Sequence, residues 1–298
     1  MEKRTFGKTG MQVTPLGFGG AEIGYQGISP ETVQKLLNSA LDAGLNVIDT
    51  AECYINSEEL IGNAVSHRRN DYYLFTKCGH AEGLAKPDWS TPALLRSIDR
   101  SLKRLRTDRV DLVQLHSCSE DLLRKGDVIE ALQRARQDGK TRFIGYSGDD
   151  SAARYAVECG AFDALQTSVS IADQQALDLT LPLATKSNMG VIAKRPIANA
   201  IWKNGDTTPG EYYRPYWERL RVLQYDFLKG DMGNAVATAL RFTLGLPAVH
   251  TAIVGTTNPS RWATNAGFLA KGPLTDAEFR AIRDRWQQVA AGSWVGQV

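Results

Sequence analysis

Four residues of this chain have the types and spacing of a proton-transfer centre: Asp49, Tyr54, Lys77 and His116. Asp49 closes the strand-like run Asn46-Val47-Ile48, and Tyr54 follows five positions on. Lys77 and His116 each close a further apolar run. A free tyrosine titrates near about 10 and is a poor acid at neutral pH. An adjacent ammonium favours the tyrosinate, so Lys77 is expected to lower the pKa of Tyr54. A buried ammonium needs a carboxylate, which Asp49 supplies. His116 can donate or accept, and so orient a carbonyl oxygen beside the tyrosine. Together the four make a proton donor aimed at an oxygen that becomes an alkoxide. No side chain carries a hydride, so this chemistry requires a reduced cofactor. Taken singly, each has a plainer reading: a tyrosine that packs, a hydrogen-bonded core histidine, a structural Asp–Lys pair. Their coincidence at strand ends favours a site.

The elements that must position these residues are short apolar runs separated by amphipathic ones. Strands are expected at residues 13–19, 46–50, 72–77, 110–116, 143–147, 164–168, 190–194 and 252–255. Several are apolar throughout, as parallel strands covered on both faces are. Ser29-Pro30-Glu31 opens a helix that Gly44 ends; Ser57-Glu58-Glu59 and Ser90-Thr91-Pro92 open two more. Eight strands alternating with helices in one chain of 298 residues predict a (β/α)8 TIM barrel. An open dinucleotide-binding sheet would carry GxGxxG after its first strand, and this chain does not. Residues 4–11 read as a small N-terminal β-hairpin before the first barrel strand. The whole chain, 1–298, is expected to be a single domain. In such barrels the chemistry sits at the C-terminal strand ends, where Asp49, Lys77, His116, Ser147, Gln166, Lys194 and Arg195 stand, with Tyr54 just beyond.

Composition narrows the classes. The chain is 43% hydrophobic and 23% charged with a net charge of +2, which gives no support to nucleic-acid binding. It shows no leader and no apolar run long enough to cross a bilayer, so no membrane partner is expected. Cys53, Cys78, Cys118 and Cys159 form no CxxC pair, pointing to a reducing, cytoplasmic setting rather than a disulfide scaffold. With His80 they match no zinc spacing, and no metal is expected.

At this point the sequence resembles the aldo-keto reductase family, almost end to end. The resemblance is carried by Pro15-Leu16-Gly17-Phe18-Gly19-Gly20, by Asn46-Val47-Ile48-Asp49-Thr50-Ala51 with Tyr54, and by Ser57-Glu58-Glu59-Leu60-Ile61-Gly62. It continues through Thr76-Lys77, Asp111-Leu112-Val113-Gln114-Leu115-His116, Ile144-Gly145-Tyr146-Ser147 and Gly255-Thr256-Thr257-Asn258-Pro259. It implies NAD(P)H-dependent reduction of an aldehyde or ketone to an alcohol, a small-molecule carbonyl substrate, Tyr54 as general acid, Asp49 and Lys77 tuning it, and His116 in the substrate pocket.

The same resemblance implies that Ser147 and Gln166 hold the nicotinamide carboxamide, with Gly20 and Asp49 also on the cofactor side. Lys194, Arg195 and Pro196 are expected to bind the cofactor as well, although the segment departs from the family pattern, because many relatives place a nicotinamide-stacking aromatic where Lys194 stands. Trp202, or an aromatic of residues 212–217, is the expected replacement, carried by a long loop over 201–216 that folds across the cofactor. Gly255, Thr256 and Thr257 let the cofactor backbone approach closely, and Arg261 with Asn265 occupies the adenosine-phosphate position at a helix N-terminus. NADPH is the expected cofactor, with tolerance for NADH because Gly255 replaces a lysine. Two other functions compete: a cofactor-binding regulatory or sensor subunit with little turnover, and a Schiff-base lyase or aldolase on Lys77. Pairing with Asp49 would keep that lysine charged and a poor nucleophile, which disfavours the last.

Overall fold

The computed structural model describes residues 2–80 and 87–297. A two-stranded antiparallel hairpin comes first: β1 (Arg4–Thr5) and β2 (Gln12–Val13) pair Arg4 with Val13, and a 3-10 turn joins them. Eight parallel strands follow: β3 (Leu16–Gly19), β4 (Val47–Asp49), β5 (Tyr73–Cys78), β6 (Val110–His116), β7 (Thr141–Ser147), β8 (Ala164–Ser168), β9 (Gly190–Lys194) and β10 (Thr251–Val254). They pair in chain order, and β10 pairs back onto β3 to close the barrel. The (β/α)8 architecture and the hairpin are as the sequence predicts.

One expected strand is in fact two. Residues 13–19 break at Thr14-Pro15, because Pro15 has no N–H for a ladder and Thr14 gives its own N–H to Asn46 Oδ1 at 2.7 Å. Val13 therefore belongs to the hairpin and Leu16 begins the barrel. Of the helices expected from sequence, Pro30–Asp42 starts with the Ser29 hydroxyl accepting from Thr32 N, and the chain leaves it through Gly44 at φ +100°. Ser57–Val65 and Thr91–Leu105 also form. Ser57 does not cap its helix; its hydroxyl donates to Gly20 O at 2.7 Å.

Side chains two apart on a strand share a face, and this periodicity builds the site. Val47, Phe75, Leu112, Ala164 and Ile192 form one apolar layer inside the barrel, plugged from below by Phe6, Met11 and Val13 of the hairpin segment. Burying each of the larger side chains contributes about 1.5–3 kcal/mol. Two residues further along the same strands stand Asp49, Lys77, Gln114, Gln166 and Lys194. The barrel interior thus changes from hydrocarbon to charge in one step toward its C-terminal mouth. A larger apolar cluster fills the space between the barrel and its helices, and a smaller one lies beneath Arg214–Leu223 and Asp276–Val289.

Candidate active site

Lys77 and Asp49 are both about 1% exposed, and Lys77 Nζ donates to Asp49 Oδ2 at 2.5 Å and to Thr50 O at 2.9 Å. The other Asp49 oxygen accepts from Gln114 Nε2 at 3.2 Å and Gln166 Nε2 at 2.9 Å. Both oxygens of this buried carboxylate are therefore held by donors. Removing either charge from such a pair leaves the other uncompensated, at a cost of about 3–5 kcal/mol. Gln114 carries no signal of its own in the sequence; the Lys77↔Gln114 register puts it beside the pair.

Tyr54 sits in the turn after β4, held by Tyr54 N–H to Ala51 O at 3.1 Å and Ser57 N–H to Tyr54 O at 2.9 Å. Gly24 lies so close that an added Cβ would come within 2.1 Å of Tyr54 O. Buried Glu52 fastens the same turn to the helix Thr91–Leu105 through Ser97 and through Arg100 Nε at 2.6 Å. The Lys77 ammonium stands 5.1 Å from the centre of the Tyr54 ring, and the His116 ring 5.8 Å away at 81°. Tyr25 flanks Tyr54 on the other side at 5.9 Å. The four expected residues are brought together.

Their electrostatics differ from expectation in one respect. Burial, then the Asp49 charge, pushes the Tyr54 phenol well above its ordinary value, with Arg195 opposing. Lys77 does not lower it as the sequence predicts: the ammonium is bound to Asp49, and desolvation dominates. The phenol is thus fully protonated at neutral pH. His116 is held well below the ordinary histidine value, first by burial and then by Lys77, His80, Lys194 and Arg195. Its imidazole is neutral, with Nδ1 3.4 Å from Cys53 Sγ. His80 stacks edge-on against His116 at 5.5 Å, and Trp89 against His80 at 5.4 Å.

The remaining expected residues divide into groups. Ser147 Oγ donates to Gln166 Oε1 at 3.2 Å, extending the Asp49–Gln166 chain to β7. Gly20 N–H donates to Asp49 O at 2.7 Å, and a Cβ there would meet Ser57 Oγ at 2.7 Å. Lys194 turns to Asp149, 2.8 Å away, a carboxylate also held by Thr167 Oγ1 and the Ser168 N–H. Arg195, at φ +54°, donates to Tyr212 OH at 3.0 Å, Ser168 Oγ at 3.0 Å and Gln297 O at 2.6 Å. Pro196 is buried, and its carbonyl accepts from Thr243 Oγ1 at 3.0 Å. Trp202 packs against both helix-side clusters, with its indole N–H 3.2 Å from Met232 Sδ. It is Tyr212, from the same loop, that reaches Arg195. Part of that loop is helical: Pro215 starts the helix Arg214–Leu223.

Beyond β10, Gly255 leaves bare backbone, and the Glu22 carboxylate lies where a side chain would be, 1.5 Å from an added Cβ. Thr256 Oγ1 accepts from Asn258 N at 3.1 Å, and Thr257 is half-buried. Arg261 is exposed at the start of the helix Arg261–Leu269. Asn265 is buried, and its Oδ1 has no hydrogen-bond partner. That acceptor, orphaned among the described residues, fits the amino group of an adenine. Cys53 adjoins the site, while Cys78 and Cys118 lie in the helix-side core and all four cysteines are free. Among the described residues no group of three or more His, Cys, Asp or Glu is placed to hold a metal ion. None of their helices is long and apolar enough to cross a membrane.

A closed parallel barrel with this buried constellation at its mouth defines a class of carbonyl-reducing oxidoreductases. The chain belongs to the aldo/keto reductase family, whose model matches residues 15–287. It is 25% identical to the oxidoreductase YqkF of Bacillus subtilis over 97% of both chains. It is 29% identical to L-galactose dehydrogenase of Arabidopsis thaliana, over 89% of this chain and 87% of that one. Among solved structures it resembles the holo form of the aldo-keto reductase AKR11C1 from Bacillus halodurans, with TM-score 0.84 and 25% identity over 98% and 99% of the two chains.

Proposed function

We propose that the chain reduces an aldehyde or ketone to an alcohol, with Tyr54 as general acid and NADPH as the preferred cofactor. The observation that carries this reading is the Lys77–Asp49 pair at 2.5 Å, with the Tyr54 ring and neutral His116 grouped above it. The cofactor supplies the hydride. Tyr54 gives its proton to the carbonyl oxygen as that oxygen gains charge; a raised phenol pKa keeps the proton in place until then. Neutral His116 donates a hydrogen bond to the same oxygen and fixes its direction. The Lys77 ammonium pairs with Asp49, and its charge on the ring face favours negative charge building on the phenol oxygen.

Ser147 and Gln166 are suited to a carboxamide, Asn265 Oδ1 to adenine, and Gly20, Gly255, Thr256 and Thr257 to the cofactor backbone. Arg261 at a helix N-terminus suits a 2′-phosphate. Tyr212, rather than Trp202, is the aromatic best placed to cover the nicotinamide, since Lys194 is turned to Asp149. Four free thiols suit a reducing, cytoplasmic setting.

The test is cofactor oxidation with a panel of simple aldehydes and ketones. Tyr54→Phe should lose about 10²–10⁴-fold in kcat while the Kd for the cofactor is unchanged. Full activity in that variant would remove the acid role; tight cofactor binding with no turnover in the wild type would favour a sensor subunit. Arg261→Ala should weaken NADPH at least tenfold more than NADH. Equal losses would overturn the cofactor preference.

A further inference from the structure

Three cations crowd the mouth of the barrel on the β8–β9 side, and two have a carboxylate of their own. Lys194 pairs with Asp149 at 2.8 Å and Arg219 with Asp173 at 3.7 Å. Arg195 forms no ion pair among the described residues. Its partners are a phenol, a serine hydroxyl and a main-chain carbonyl: Tyr212 OH, Ser168 Oγ and Gln297 O. Asp149, the nearest candidate counter-ion, is already engaged by Lys194, Thr167 and Ser168. Nη2 of Arg195 makes no hydrogen bond among the described residues. A half-buried guanidinium is unfavourable without a counter-charge, and among the described residues the Asp149 carboxylate reaches it only through the Ser168 hydroxyl.

Placement says what this cation faces. Ser168 is two residues beyond Gln166 on β8, so it lies on the same inward face one step nearer the mouth. Gln166 holds Asp49, and Arg195 is bound to Ser168. The guanidinium therefore sits one layer above the Asp49–Lys77 pair, on the entry side. Its field is felt below, where it opposes the rise of the Tyr54 pKa and adds to the depression at His116. The remaining partner, Tyr212, is 54% exposed on the rim, stacked edge-on with Tyr213 at 5.0 Å. Displacing its hydroxyl would free Nε beside Nη2, the side-on fork that a carboxylate or phosphate accepts in two parallel hydrogen bonds.

We propose that Arg195 recognises an anionic group, a carboxylate or a phosphate, at the far end of the carbonyl substrate. The inference rests on the carbonyl-reducing reading of the same site. It makes an aldehyde or ketone bearing an acid the preferred substrate class, with only the Tyr212 hydroxyl giving up Nε as that group enters.

Two matched pairs test it: succinic semialdehyde against butanal for a carboxylate, and glyceraldehyde 3-phosphate against glyceraldehyde for a phosphate. The wild type should favour the anionic member of one pair at least tenfold in kcat/KM, and the pair that shows it identifies the anion. Arg195→Met should bring that preference to about one, and Arg195→Lys should restore part of it. Cofactor Kd is measured on each variant. No preference in the wild type, or a preference that survives Arg195→Met, overturns the proposal. So does a loss confined to cofactor binding, which would give Arg195 to the cofactor instead. If no carbonyl is reduced, the functional reading fails separately, and calorimetric titration with succinate and inorganic phosphate still decides the anion site. Binding that Arg195→Met abolishes upholds it, and no binding of either anion overturns it.

Discussion

At the scale of single residues, the site is a set of groups whose charge states burial has pushed apart. Tyr54 keeps its proton because desolvation and Asp49 raise its pKa above the ordinary 10, and His116 stays neutral because desolvation lowers it below the ordinary 6.5. The sign follows directly. A raised acid is protonated at every pH below its ordinary value, and a lowered base is uncharged at every pH above its own. Neither required form is lost between those limits, so kcat for reduction should be flat from pH 6.5 to 10. A bell centred inside that window would show that one of them titrates where its environment says it does not. Asp49, Tyr54, Lys77 and His116 were legible in the sequence because each type has a role and each stands at or just past the end of an apolar run. Gln114, Glu52 and Asp149 were not, since their importance lies in which neighbour they meet, and only strand register decides that. The acidity of Tyr54 was misjudged for the same reason: sequence showed a lysine nearby but not that its charge was committed to Asp49.

Elements place these groups through a two-residue rhythm. Val47 then Asp49, Phe75 then Lys77, Leu112 then Gln114, Ala164 then Gln166 each put a hydrocarbon floor beneath a polar group on the same face. The hairpin segment seals that floor with Phe6, and the fit is close enough that a Cβ on Gly190 would fall 2.4 Å from the Phe6 ring. Gly190→Ala should therefore destabilise the protein by about 1–3 kcal/mol through overpacking, read from urea midpoints. Phe6→Leu would relieve the clash, so the double variant should be less destabilised than the sum of the two single ones. Strict additivity would mean that the ring is not what limits position 190. Helices with plain start signals, such as Ser29-Pro30, were readable from sequence. The break at Pro15 and the helix that begins at Arg214 were less so, because an aromatic-rich, Gly/Pro-rich stretch reads as loop until packing selects one of its turns.

For the whole molecule, barrel closure was legible because eight alternating units leave few other ways to cover eight apolar strands. The arrangement of the chain's later segments was not. Residues 295–297 fold back across the mouth, where Val295 O accepts from Arg219 at 2.7 Å and Gln297 O from Arg195 at 2.6 Å. The opposite end of the barrel is joined over a longer stretch of sequence. Arg4 donates to Leu244 O at 2.7 Å and Val249 O at 2.6 Å, and Lys8 N–H to Asn188 O at 2.7 Å. During synthesis, then, the segment that seals the barrel leaves the ribosome long before the carbonyls and the glycine it docks against. Its aromatic plug must wait in contact with solvent, or with a chaperone, until strands made much later arrive. The hairpin, translated well before its partners, is among the last elements to reach its final neighbours.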